Sequence, residues 1–375
     1  MARQPTLYQR LVLPGVIFQS VLIGGAYATG REIVEYGGKF GASGPWAIVA
    51  IFVGFAVTSM ATYEFARRFR LFDYRSFIRA LVGPLWPLFD LLFVAMVVII
   101  VAVVSAASAS IAQQVLGWPY WLGISAVIVF VAIISAAGRR AIERFKSFGT
   151  ALLYGGYLLF AGSVLSGSWD RVGRVFQQSD TSFLPSVSLG TVIGTGILYV
   201  GYNLAILPST LFTLDRQQRT GDALWAGLIT GVLATIPFAM TYLAVLVYYP
   251  DPTVLEAPVP WLEMLRRSAG DGMLRLFALV VLWTLVETCT GLLHALTERI
   301  DANLEEAGRP RLGRWQIATL TAGLLLAAAL LSRFGLIALV ARGYSAMAYG
   351  FLLLFALPLL TVGVWRLVRS PEGVE

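Results

Sequence analysis

Five residues recur at three- and four-residue steps within one apolar stretch: Thr284, Glu287, Thr288, Gly291 and His294. Those steps put them on a single helix face. The other positions in the stretch are apolar, so the stripe is expected to point into a protein interior. A carboxylate held among hydroxyls has two uses there. It can exchange a proton near neutrality, or it can offer hard oxygen ligands to a cation such as sodium. Glu287 with Thr284 and Thr288 is therefore the candidate ion-coupling group, with a proton or sodium as the ion. His294 lies toward one end of the stripe and reads as structural.

A second chemistry belongs to the backbone. Gly24, Gly25, Ala26, Tyr27, Ala28, Thr29 and Gly30 interrupt an otherwise apolar helix. Each glycine weakens a helix by about 1 kcal/mol relative to alanine. Around Tyr199, Gly201, Tyr202 and Asn203 another apolar stretch is interrupted, with Pro208 following. A broken helix exposes amides at the start of one half and carbonyls at the end of the other. The first attract carboxylates; the second attract ammonium groups and metal ions. The amides of Ala28, Thr29 and Gly30 are expected to receive a solute carboxylate, with Tyr202 and Asn203 opposite and an aromatic ring available to a bound ammonium. The competing reading is that the glycines only let helices approach closely. Ser105 and Ser108 are further candidate lining residues, unless their hydroxyls bond their own backbone. Arg31 and Glu32 follow the first break as charged candidates for a gate. Glu35, one turn on, reads as solvated, and Asp90 as a partner for nearby arginines.

The elements that must position these groups are membrane helices. Of 375 residues, 58% are hydrophobic and 13% charged, and the mean hydropathy is +0.76. A soluble domain carries about 25% charge, so this chain needs lipid around it. Ten stretches are long enough to span: residues 11–36, 45–69, 87–114, 118–137, 148–166, 189–214, 223–249, 273–300, 315–332 and 345–368. Residues 336–340 are too short to span and are expected in a bent connector before the last. The net charge of +7 does not indicate nucleic acid, because the arginines gather between the apolar stretches. With both termini inside, 19 of the 28 basic residues face the cytoplasm. That bias predicts a multi-pass protein of the cell (inner) membrane with cytoplasmic termini. Residues 67–81 read as an amphipathic helix on the inner leaflet. The loop with Pro250, Pro252, Pro258 and Pro260 is followed by a short helical run at 261–268, which is either a lid or a solvated connector. No cleavable leader is evident.

The first and sixth stretches, five apart, are the interrupted ones. An odd number of spans inverts a second copy, so this spacing predicts a five-plus-five inverted repeat, about residues 11–166 and 189–368, within a single domain 1–375. The run Gly24–Ile33, followed by Gly38-Lys39-Phe40-Gly41, resembles the YkvI-type membrane proteins of the amino acid–polyamine–organocation superfamily. Gly201-Tyr202-Asn203 and residues 287–291 give weaker support. The resemblance implies an all-α LeuT-type fold, with helices one and six unwound at mid-membrane, and transport of an amino acid or a derivative. It also implies an outer-gate role for Arg31 and a sodium site near Leu22, Gly25 and Thr288. There the adjacent Cys289 stands where a second hydroxyl would, and Thr284 is the nearest substitute.

The expected function is ion-coupled secondary transport of a small polar solute by alternating access. A channel is the alternative, and a membrane-embedded enzyme a weaker one. A single Cys and a single His leave no Cys/His metal site, and neither a phosphate-binding loop nor a zinc-protease motif occurs. The reading is of a non-enzyme without an organic cofactor, whose partners are a small molecule and the bilayer and not nucleic acid. Oligomeric state is left open.

Overall fold

A computed structural model describes residues 5–136, 155–184 and 186–369, and every regular element among them is helical. One wide turn, Tyr8–Val12, leads into α1 (Leu13–Leu22), which stops at Ile23. A tight helical turn, Gly25–Thr29, and a left-handed Gly30 intervene before α2 (Arg31–Tyr36). Next come α3 (Gly44–Phe69), α4 (Tyr74–Val82), α5 (Trp86–Leu116), α6 (Tyr120–Ala136), α7 (Gly155–Leu165) and α8 (Trp169–Gln177). The helix α9 (Leu189–Asn203) bends by 67° into a 3₁₀ helix, Leu207–Arg216. The chain ends through α10 (Thr220–Leu246), the short α11 (Pro252–Leu255) and α12 (Pro260–Ser268), α13 (Asp271–Glu306), α14 (Arg314–Leu331) and α15 (Leu336–Arg369).

Each of the ten expected spans overlaps helix among the described residues. Six elements among the described residues are long and apolar enough to cross a bilayer, and the bent pair makes a seventh. The first span is two short pieces around its break. The fourth and fifth are shorter apolar helices, and the described part of the fifth begins at Gly155. Arg3, Arg139, Arg140, Arg144 and Lys146 lie outside the described residues.

Three expectations need correction. Residues 336–340 form no separate connector: α15 is one span from Leu336, because the chain turns earlier, at Gly335. Arg342 does not stop it, since its side chain is exposed at the helix surface. The second break falls at 204–206, just beyond the interval around Tyr199–Asn203. Pro208 accounts for this, since its ring clashes with the carbonyl four residues back, at Leu204. Finally, the amphipathic α4 turns its apolar face onto the bundle and not to lipid. Phe77 stacks on Phe355 of α15, with ring centroids 5.9 Å apart, and meets Phe65 of α3 edge-on at 5.7 Å.

Behind the site, α10 packs along both α1 and α3. Small residues allow this: a Cβ on Gly227 of α10 would fall 2.4 Å from the backbone nitrogen of Met60 on α3. Close packing of this kind replaces the hydrophobic driving force that is missing between helices in lipid. One end of the bundle is tied by charges. Arg10 pairs with Asp222 (3.2 Å), Arg67 donates to Thr220 Oγ1 (2.9 Å), Arg79 pairs with Glu306 (2.8 Å), and Arg366 donates to the Ala80 carbonyl (2.7 Å). This is the basic end. The opposite end carries α8, α11 and α12, and is called the lid end below.

Candidate functional site

The first break is set by three glycines. Gly24 is extended, Gly25 has φ +60° and Gly30 has φ +82°. The last two values lie in the left-handed region, which costs other residues roughly 1–2 kcal/mol. The released backbone finds a partner on α13: the Gly25 amide donates to Thr288 Oγ1 (3.1 Å), and that hydroxyl donates to the Thr284 carbonyl (3.0 Å). One threonine hydroxyl thus joins the break to the stripe on α13.

A cavity of about 500 Å³ lies between the two breaks. Gly24 and Gly25 border it from the first break, with Glu32 just beyond; Tyr202, Asn203 and Ile206 border it from the second. Across from them stands the α13 stripe, with Thr284, Glu287, Thr288 and Gly291 all on the wall. The stripe continues by turns through Ala295 to Arg299, and Tyr344 closes the side from α15. Toward the basic end the wall is Ser20, Phe93, Ser209, Tyr74 and Arg299. The Arg299 guanidinium lies 3.7 Å from the ring centre of Tyr74 and 3.3 Å from that of Phe93.

Glu32 is buried, and its carboxylate accepts a 2.5 Å hydrogen bond from the Tyr202 hydroxyl. It does not accompany Arg31. The Arg31 guanidinium runs to the lid end, donating to the carbonyls of Leu255 (2.7 Å) and Ala257 (3.1 Å) and to Glu35 (3.4 Å). Glu35 is further held by Lys39 at 2.5 Å and is not simply solvated. Beside these contacts Trp261 of α12 lies against Gly30: a Cβ there would be 2.9 Å from its ring. The Trp261 indole donates to the Tyr157 hydroxyl (3.3 Å), which is bonded to Thr241 (2.7 Å). The loop with Pro250–Pro260 is therefore packed down on the first break, and none of its residues borders the cavity.

Several expected lining residues are elsewhere. Ser105 and Ser108 are buried away from the cavity and donate to the carbonyls four residues back, Val101 and Val104, both at 2.8 Å. Tyr199 sits in an aromatic cluster with Tyr36, Phe55, Tyr202 and Phe238. Gly201 serves packing, since a Cβ would lie 2.9 Å from Leu352. Ala26, Tyr27, Ala28, Thr29 and Gly30 are buried behind the cavity wall, and the Gly30 amide is spent on the Tyr27 carbonyl (2.9 Å). His294 does not border the cavity; its ring is 3.9 Å from Glu298. Asp90 accepts from the Tyr74 hydroxyl. Leu22, Gly25, Thr284 and Thr288, the residues of the implied sodium site, do share the wall, whereas Cys289 is buried off it.

Arg299, Tyr74 and Tyr344 were not expected. Arg299 was within reach, because steps of four from Glu287 pass through 291 and 295 to it. Tyr344 was hidden by starting the last span one residue late.

The sequence matches no family model and no curated protein. Among solved structures the chain is similar to a Na⁺-coupled sialic acid symporter in a substrate-bound, outward-open state. The TM-score is 0.55 at 13% identity, over 96% of this chain and 84% of that one. At that identity the likeness establishes the fold: an all-α membrane protein with the architecture of that symporter, in keeping with the LeuT-type fold that the family resemblance implied.

Proposed function

We propose that this chain is an ion-coupled secondary transporter that moves a small polar solute, an amino acid or a derivative of one, by alternating access. The observation that carries the reading is the cavity itself. It lies between the two helix breaks, is lined by polar groups from both and from α13, extends toward the basic end as far as Tyr74, Ser209 and Arg299, and is covered at the lid end by Arg31 and Trp261. With the basic end in the cytoplasm, as the arginine bias supports, the protein here faces inward, with Arg31 as its outer gate. The two halves, residues 11–166 and 189–368, act as the inverted repeats of the cycle. The motif at Gly24–Ile33 favours the YkvI-type group.

The coupling ion meets the α13 stripe. Sodium is favoured by the coupling named for the structural neighbour and by the Thr288 hydroxyl, which keeps a free lone pair after bonding the Gly25 amide and the Thr284 carbonyl. The proton is favoured by Glu287 on the same face. Uptake into proteoliposomes with one gradient imposed at a time decides between them. If protons drive it, Glu287→Gln loses accumulation and keeps exchange. Strict sodium dependence with no response to a pH gradient makes Glu287 a sodium-site residue. Conductance without saturable counterflow would replace the transporter with a channel.

A further inference from the structure

Glu32 is a buried carboxylate on a cavity wall with no cation to neutralise it among the described residues. The nearest arginine, Arg31, spends its guanidinium on Leu255, Ala257 and Glu35. The cavity's own arginine, Arg299, is eleven residues beyond Thr288 on α13, about 16 Å along the helix. Glu32 is held in place by the Tyr202 hydroxyl. The charged group that the first broken helix presents to the cavity is therefore a carboxylate. Around it the cavity wall is aromatic: Tyr202 and Tyr344 are 4.7 Å apart, and both border the space. A carboxylate beside aromatic rings in a desolvated pocket suits a soft organic cation, which gains from the charge and from the ring faces together.

We infer that Glu32 is the anchor for the positive charge of the solute, and that the solute is an organic ammonium ion whose binding needs no free carboxylate. The inference rests on the transporter reading and narrows its substrate class from amino acids at large to amines and amine-bearing derivatives. The ammonium enters from the basic end, displaces water from beside Tyr202 and Tyr344, and pairs with Glu32. Glu287 remains on the opposite wall for the coupling ion.

The test is a thermal-shift titration of the purified full chain with ethylammonium and tetramethylammonium chlorides, against glycine, sodium acetate and sodium chloride. The organic cations raise Tm saturably; glycine, acetate and sodium alone do not. Glu32→Gln keeps the side-chain length and the hydrogen bond to Tyr202, so it folds, and it weakens cation binding by about tenfold or more. Glu32→Asp keeps the charge and retains part of the binding. Undiminished cation binding by Glu32→Gln overturns the inference. So does stabilisation by glycine beyond that by ethylammonium, or by sodium alone through Glu32. The transporter reading is judged separately: cation binding that depends on Glu32 without saturable counterflow in proteoliposomes leaves the site standing and removes the transport cycle.

Discussion

Gly24 and Thr288 approach more closely than a side chain at position 24 would permit. A Cβ there would lie 2.3 Å from Thr288 Oγ1, whereas one on Gly25 would meet nothing nearer than 3.8 Å. The two glycines are therefore required for different reasons, and substitution separates them. Gly24→Ala drives a methyl group into the hydroxyl that joins the break to α13, an overpacking cost of about 1–3 kcal/mol. Gly25→Ala costs about 1–2 kcal/mol through its left-handed backbone alone. Adding Thr288→Ala should restore most of the lost Tm in the first case and none in the second. Equal rescue of both would mean the contact is not what fixes the break. At this scale the sequence was readable where residue type dictates conformation or spacing dictates a face, as at Gly25, Gly30 and the Thr284–Gly291 stripe. It was not readable where a polar side chain chooses between the cavity and its own helix. Ser105 and Ser108 bond the carbonyls behind them, and nothing in their spacing distinguishes that from lining a site. The opposite case is Glu32, expected at a gate with Arg31 and found instead on the cavity wall. Adjacent residues on a helix point about 100° apart, so a charged pair next to each other in sequence rarely shares a task.

Among the elements, the lid formed by α11 and α12 packs on the first broken helix through Trp261 and is hydrogen-bonded to it through Arg31. Arg31 donates to two lid carbonyls, and hydrogen bonds to a charged group are worth about 1.5–3 kcal/mol each. Arg31→Ala should loosen the lid, raising hydrogen exchange over residues 252–257 by about tenfold or more while leaving the centre of α10 protected. Arg31→Lys should fall between, because an ammonium loses the guanidinium's planar fork. Unchanged exchange in both variants would show the lid to be held by Trp261 packing alone. The helices themselves were legible because lipid demands long apolar runs and the runs are plain. The position of the second break was not, because glycines serve two purposes. Gly196 of α9 lies against α3, where a Cβ would be 2.7 Å from the Ala47 carbonyl, and Gly201 lies against α15. Both permit contact and break nothing; the bend follows Pro208. The last span was begun too late for a different reason: residues 336–340 are too short to span alone, and the helix continues from them through Arg342 and Gly343.

For the whole molecule, the charge ties at the basic end and the packed lid at the other give the bundle two unlike faces. The proposed orientation follows from the first of these. A reporter fused after residue 369 should read as cytoplasmic, and a cysteine replacing Glu263 of α12 should react with a membrane-impermeant reagent from outside intact cells. The reverse labelling pattern would invert the assignment of inner and outer gates while leaving the fold untouched. Among the described residues the apolar runs and the presence of two interrupted helices were legible, because both follow from hydropathy and from where helices fail. The identity of the open end was not legible, since it depends on which set of tertiary contacts is closed. The cavity has one more consequence. At roughly 30 Å³ per water molecule, a space of about 500 Å³ exchanges on the order of fifteen waters whenever it opens or collapses. Opening is thus also a hydration equilibrium: solutes too large to enter the cavity draw that water out and favour the collapsed form, so osmotic pressure acts on the cycle without touching any residue of the site.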